Sequence, residues 1–146
     1  MNLTGERITL NIETKPMSCP RPRVAGGRAY MPMNYVQWKS GAVTQIRNQI
    51  AALNIEDVVF VDITFIYQRP QSLMRKSDPT DRIFKGTKPD LDNITKSVLD
   101  ALQDAKVLKD DAQVVGLIAT KWYGKIRENK KSERNYIKID IYPLKG

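Results

Sequence analysis

Two runs of β-branched and aromatic residues, "VVFVDITFIY" (Val58–Tyr67) and "AQVVGLIATKWY" (Ala112–Tyr123), stand on either side of one amphipathic segment, Leu91 to Gln103. No other feature limits the fold as much. The first run is too continuously apolar for a solvent-facing edge and predicts a central strand. Strand, long polar stretch, helix, strand makes a βαβ unit when the two strands are parallel, with a right-handed crossover. Before it, "RITLNIE" (Arg7–Glu13) alternates Ile8, Leu10 and Ile12 against polar residues and reads as a half-buried strand. A helical pattern from Asn34 to Leu53 places Val36, Val43, Ile46 and Ile50 at workable spacings, with Gly41 weakening its first half. After it, "NYIKIDIYP" (Asn135–Pro143) alternates as a fourth strand and is expected to form an antiparallel hairpin with the third across the basic tip "GKIRENKKSER". The proline- and glycine-rich "TKPMSCPRPRVAGGRAYMP" reads as a loop. The fold expected is α/β (α+β), a mixed sheet of about four strands with two main helices packed on it.

The chain has 146 residues, room for one core, so residues 1–146 are expected to be one domain. Twenty-four Lys and Arg against sixteen Asp and Glu give a net charge of +8, spread along the sequence, which favours a polyanionic partner. The start lacks a basic segment followed by an apolar run, and nothing later is apolar for the roughly 20 residues that span a bilayer. A cytoplasmic protein without a membrane partner is expected. Its one cysteine, Cys19, can form neither an internal disulfide nor a thiolate cluster, which suits a reducing compartment.

There is no histidine. That removes Ser-His-Asp and Cys-His catalysis, imidazole-bound zinc and histidine as general acid or base. Remaining chemistry must run on carboxylates, lysines or a hard metal such as Mg²⁺ or Mn²⁺, which aspartates bind through oxygen and which handle phosphates.

"KPDLDNITKSVLDAL" (Lys88–Leu102) carries two carboxylates at a helix mouth. At about 100° per residue, Leu91, Ile94, Val98, Ala101 and Leu102 share one side, and Asp92, Asn93, Lys96, Asp100 and Gln103 the other. Asp90 and Asp92 sit where backbone N–H groups and the helix dipole favour negative charge, so they read equally as ordinary caps, and Asp92 to Lys96 as an ordinary i,i+4 ion pair. A second acidic cluster, "KDDAQVV" (Lys109–Val115), lies at the other end. A helix of this length spans about 18 Å, so the two clusters meet on one ion only if the following chain doubles back.

The spacing in "PDLDNITKSVLDAL" followed by "VLKDDAQVV" closely resembles the RusA family of Holliday junction resolvases, often encoded by phages and prophages. The early "KPMSCPRPRVAGGRAYMP" and "YVQWK" resemble that family's proline- and arginine-rich loop and the helix after it. The resemblance covers most of Thr14 to Tyr123, with its specific part from Asp90 to Asp111. It implies magnesium-binding carboxylates at Asp90, Asp92 and Asp111, a catalytic lysine at Lys96, the motif's asparagine at Asn93 and its helix aspartate at Asp100. It further implies a homodimer that binds four-way DNA junctions and nicks two strands of like polarity in recombination and repair, with Mg²⁺ (or Mn²⁺) and no organic cofactor. Asp111 would reach its ion through a folded-back connection or be supplied to the neighbouring subunit.

DNA contact is expected from the loops: Arg21, Arg23 and Arg28 in the first, and Arg69, Arg75, Lys76, Arg82, Lys85 and Lys88 in the second. Ile83 and Phe84, apolar amid that charge, read as local packing or as a wedge for an open junction. Tyr35, Trp38, Trp122 and Tyr123 are expected in the core or a dimer interface. Two other functions compete: a basic DNA-binding module that does not cut, and a Mg²⁺-dependent nuclease with a different branched-DNA or RNA substrate. The complete carboxylate set favours an enzyme.

Overall fold

Alternating apolar residues build the sheet, and the computed structural model, which describes residues 2–3 and 7–145, shows each expected strand. In chain order the elements are β1 (Asn2–Leu3), β2 (Ile8–Ile12), β3 (Arg23–Ala25), β4 (Arg28–Tyr30), α1 (Met33–Gln49), β5 (Val59–Tyr67), β6 (Ile83–Phe84), α2 (Leu91–Asp104), β7 (Val114–Tyr123) and β8 (Tyr136–Lys145). One mixed six-stranded sheet runs β1-β8-β5-β7-β6, with β2 also paired to β8. The fold is α+β. Strands β5 and β7 are parallel from Val59↔Val114 to Tyr67↔Tyr123, with α2 between them in sequence, as the βαβ pattern requires.

The expected β7–β8 hairpin is not formed. β5 lies between them, antiparallel to β8 from Val59↔Pro143 to Ile66↔Tyr136. The reason is the length of the 124–135 connection, which exceeds a tight hairpin loop and steps over the end of β5. There the Gly124 N–H donates to the Tyr67 carbonyl at 2.8 Å and the Gln68 N–H to Asn135 Oδ1 at 2.7 Å.

Helices α1 and α2 cover one face of the sheet. Val59, Val61, Ile63 and Phe65 of β5, Ile137, Ile139 and Ile141 of β8, and Ile46, Ile94, Val98 and Leu102 of the helices form one fully buried cluster. The Tyr35 hydroxyl donates to Asp100 Oδ2 at 2.9 Å, and Lys39 pairs with Asp104 at 3.0 Å, which fixes α1 against α2. Asp100, implied by the family motif, thus has a structural partner. Among the described residues no helix is long and apolar enough to cross a membrane.

The two sides of the sheet are finished differently. On one, Gln45 and Gln49, one turn apart on α1, imitate a further strand: their side chains accept from the N–H groups of Glu13 and Asn11 and donate to the carbonyls of the same residues. That edge is closed to other chains. On the other, β7 pairs with β6 at Tyr123 and Trp122 and its Lys121 carbonyl accepts the Lys85 N–H at 3.0 Å, so among the described residues Val114–Thr120 presents an open edge.

The first loop holds more than irregular chain. β3 and β4 form a hairpin about Gly26 and Gly27, whose φ angles of 58° and 76° match a two-residue turn requiring positive φ at both positions. The chain before it is pinned between the helices. Trp38 Nε1 donates to the Lys15 carbonyl at 3.0 Å, Ser97 Oγ to the Met17 carbonyl at 2.7 Å, and the Cys19 N–H to the Asn93 carbonyl at 3.0 Å.

Candidate active site

Asp90 occupies the N-cap of α2 in extended conformation, yet its side chain makes no capping bond. Asp92 Oδ1 accepts only from its neighbour's N–H, Asn93, at 3.0 Å. The ordinary ion pair between Asp92 and Lys96 is absent among the described residues, although both are exposed. Two carboxylates and a lysine are therefore left with their capacity unspent at one helix mouth. The chain leading to them is held by Lys121, whose ammonium donates to the carbonyls of Thr87 at 2.5 Å and Pro89 at 2.6 Å. Sequence reasoning missed this lysine. Its signal was a charge in phase with Ala119 and Tyr123, on the helix-facing side of an apolar strand.

At the other end of α2 the chain does double back. Lys106 takes a positive φ of 62°, the Val107 N–H returns to the Leu102 carbonyl, and a short 3₁₀ turn, Asp111–Gln113, leads into β7. Asp110 caps that turn by accepting the Ala112 N–H at 2.9 Å. Asp111 is pushed above the usual carboxylate range, chiefly by its hydrogen bond to Asp110, with the charge of Asp100 adding to it. Asp110 moves the opposite way because it also accepts a backbone N–H.

An open groove of ≈ 490 Å³ between α2 and β7 is lined by Asp92, Thr95 and Lys96 on the helix and by Asp111, Leu117 and Ala119 on the strand side. Asp111 shares this groove with Asp92 and Lys96, and the charge of Asp100 also acts on it. Asp90 is not in the lining, and no group of three acidic residues among those described converges to hold an ion. Among the described residues, one chain therefore brings Asp92 and Asp111 to one groove without assembling a group of three carboxylates with Asp90. The donor chemistry still suits a hard cation: Mg²⁺ is commonly bound by one or two carboxylates with waters and substrate phosphates, which Asp90 and Asp92 can supply. Thr95 Oγ1, in a residue only 6% exposed, lacks any hydrogen-bond partner in the groove wall.

The cationic loops divide into spent and available charges. Arg69, expected to contact DNA, is 2% exposed and donates to the carbonyls of Gly124, Leu73, Pro79 and Asp81. It organises the second loop and has no face to offer a phosphate. Arg82 grips Glu133 with two bonds of 2.9 and 3.0 Å and lies over the Tyr136 ring, and Arg75 pairs with Asp78 at 3.2 Å. Arg21, Arg23, Arg28, Lys76 and Lys88 are exposed. The hairpin register puts Arg23, Arg28 and Tyr30 on one face. Phe84 is 72% exposed but stacked on Trp122 at 4.1 Å between centroids, so it is a supported edge-strand aromatic.

The Arg82 hydrogen bond, with help from the Lys125 N–H, holds Glu133 down to about 2 from its ordinary 4.5. A depressed carboxylate contributes stability that is complete above the unfolded value and lost as pH falls toward the folded one. Urea denaturation should therefore show stability falling between pH 4.5 and 2. Glu133→Gln should lower stability at pH 7 by about 2 kcal/mol, the scale of a charged hydrogen bond, and flatten that acid limb.

Comparison with known proteins places a family match, endodeoxyribonuclease RusA, on residues 13–139. The uncharacterized protein YqaN of Bacillus subtilis (strain 168) is 29% identical over 125 residues, 80% of this chain and 87% of that protein. The crossover junction endodeoxyribonuclease RusA of Aquifex aeolicus (strain VF5) is 30% identical over 89 residues, 61% of this chain and 58% of that protein.

Proposed function

This chain belongs to the RusA endodeoxyribonuclease family, and from that premise we propose that it resolves four-way DNA junctions, nicking two strands of like polarity as a homodimer. The observation that carries the reading is the pair Asp90 and Asp92, neither capping nor ion-paired, beside Lys96 and among exposed cations. Arg21, Arg23, Arg28, Lys76 and Lys88 draw the phosphate backbone in without reading sequence. Lys96 neutralises and orients the phosphate to be cut, in a place where fixed positive charge is worth most as negative charge develops. Lys121 keeps the Asp90 segment in position before substrate arrives. Asp90 and Asp92 would hold Mg²⁺, or Mn²⁺ in its place, and such an ion supplies water activation and charge neutralisation. A nuclease works where DNA is, and a cytoplasmic location goes with this reading.

The open edge supports the dimer. Val115, Leu117 and Ile118 are 60%, 45% and 49% exposed along the unpaired part of β7, an arrangement a lone protein usually blunts. A second copy adding antiparallel about a two-fold axis near Leu117 and Ile118 continues the sheet with a self-complementary contact. It sets Val115 opposite the partner's Thr120. Because α2 runs antiparallel to β7, Asp111 of each chain then approaches the partner's Asp90 and Asp92, which completes the carboxylate set that one chain leaves open.

Cleavage of an immobile four-way junction beside a linear duplex, with Mg²⁺ and with EDTA, tests the function. Cutting of the junction alone, in Mg²⁺ alone, is expected. Equal cutting of linear duplex would assign another nuclease substrate, and tight binding without cutting would assign a non-catalytic module.

A further inference from the structure

Tyr67 ends β5 beside its register partner Tyr123 and is only 5% exposed. Among the described residues its hydroxyl has no hydrogen-bond partner. A buried hydroxyl left unpaired is unfavourable, and such groups are rare enough to call for a missing partner. Burial also raises its pKa, so it remains a proton donor at neutral pH.

Tyr67 forms part of the wall of an open cavity of ≈ 530 Å³ with Lys15, Lys85, Lys88, Tyr123 and Asn135, and no carboxylate among the described residues lines it. The Lys85 ammonium lies 5.1 Å from the Tyr67 ring centroid and 4.8 Å from that of Tyr123, and donates to Thr87 Oγ1 at 2.8 Å and Tyr123 OH at 3.2 Å. Among the described residues its charge is therefore held by neutral groups and meets no carboxylate. Arg69 also lines the cavity, but its guanidinium is already bonded to carbonyls. Pro89 lines it too, and the next residue is Asp90. Three lysines, two phenols and three side-chain amides, without an acid among the described lining residues, make a seat for a tetrahedral oxyanion adjoining the candidate catalytic carboxylates.

We propose that this cavity binds a backbone phosphate of the cut strand, flanking the scissile one, with the Tyr67 hydroxyl donating to a phosphoryl oxygen and Lys15, Lys85 and Lys88 balancing its charge. The proposal rests on DNA being the substrate. Tyr67 is here a positioning residue: it fixes the strand so that the neighbouring phosphate faces Asp90, Asp92 and Lys96.

The test uses junctions carrying one neutral methylphosphonate at each of the three positions on either side of the cut, with affinity measured in EDTA and cleavage in Mg²⁺. Wild type should show one flanking position at which neutralisation weakens binding about tenfold. Tyr67→Phe, which removes only the hydroxyl, and Lys85→Met should each raise KM on the unmodified junction with kcat little changed. Both should also be nearly insensitive to neutralisation at that one position while keeping wild-type sensitivity elsewhere. If both variants retain the full wild-type pattern of sensitivity, the phosphate seat is wrong and the function stands. If Tyr67→Phe is merely more stable with unchanged KM, the hydroxyl is a packing defect and the seat is again wrong. A wild-type protein that binds no DNA overturns the functional reading and the seat together.

Discussion

Asp92→Asn is expected to lower the rate of junction cleavage by about 10³-fold, equivalent to about 4 kcal/mol of lost transition-state stabilisation, with junction affinity unchanged or higher. The amide keeps the shape of the side chain and its acceptor oxygen, so the bond from the Asn93 N–H survives and α2 starts as before. What disappears is the charge. A neutral amide is a poor ligand for a hard divalent ion, and its neutrality also removes a repulsion that the phosphate otherwise meets at the helix mouth. Single-turnover cleavage in Mg²⁺, paired with anisotropy titrations in EDTA, separates the two effects. Equal cleavage by variant and wild type would remove Asp92 from the metal site.

Mixing two dead variants should restore activity. If each site takes Asp92 from one chain and Asp111 from the other, a heterodimer of Asp92→Asn with Asp111→Asn carries both lesions in one site and none in the other. It should then nick one strand at about half the wild-type site number while each homodimer stays inactive. If every site is built within one chain, both sites of the heterodimer are damaged and mixing restores nothing. Differently tagged chains, refolded together and purified as heterodimers, provide the sample, and nicking without linearisation of a cruciform plasmid is the readout. Leu117→Asp, which puts a charge on the exposed apolar edge, should shift sedimentation toward monomer and abolish that rescue. The effect follows from geometry described for a single chain: an open β7 edge, a helix antiparallel to it, and Asp92 and Asp111 lining one groove.

The parts legible in the sequence were those set by local periodicity. Val59–Tyr67 and Val114–Tyr123 alternate or run apolar as strands must, and the buried side of α2 contains Ile94, Val98, Ala101 and Leu102 as helix geometry predicts. Pairing order is another matter, because the apolar pattern of β8 suits β5 and β7 equally and only the path of the 124–135 connection decides. The β3–β4 hairpin was hidden by three-residue strands among prolines, although Gly26-Gly27 is a recognised turn signal. Arg69 looked like any loop arginine. Its four carbonyl acceptors come from residues 73 to 124, and no local pattern announces such a convergence. The carboxylates at the helix mouth were readable as positions, but whether they were spent on capping depended on side-chain directions that spacing does not encode.

The buried Arg69 should also affect how quickly the protein captures DNA. A long polar loop that becomes ordered only on binding loses conformational freedom at that moment, which weakens affinity and slows the productive encounter. Here the guanidinium ties residues 73, 79, 81 and 124 together before any DNA arrives, so the loop's entropy is already lost in the free protein. Capture should then be limited by diffusion and by the long-range pull of the +8 chain on the phosphates, so added salt should act first on the association rate.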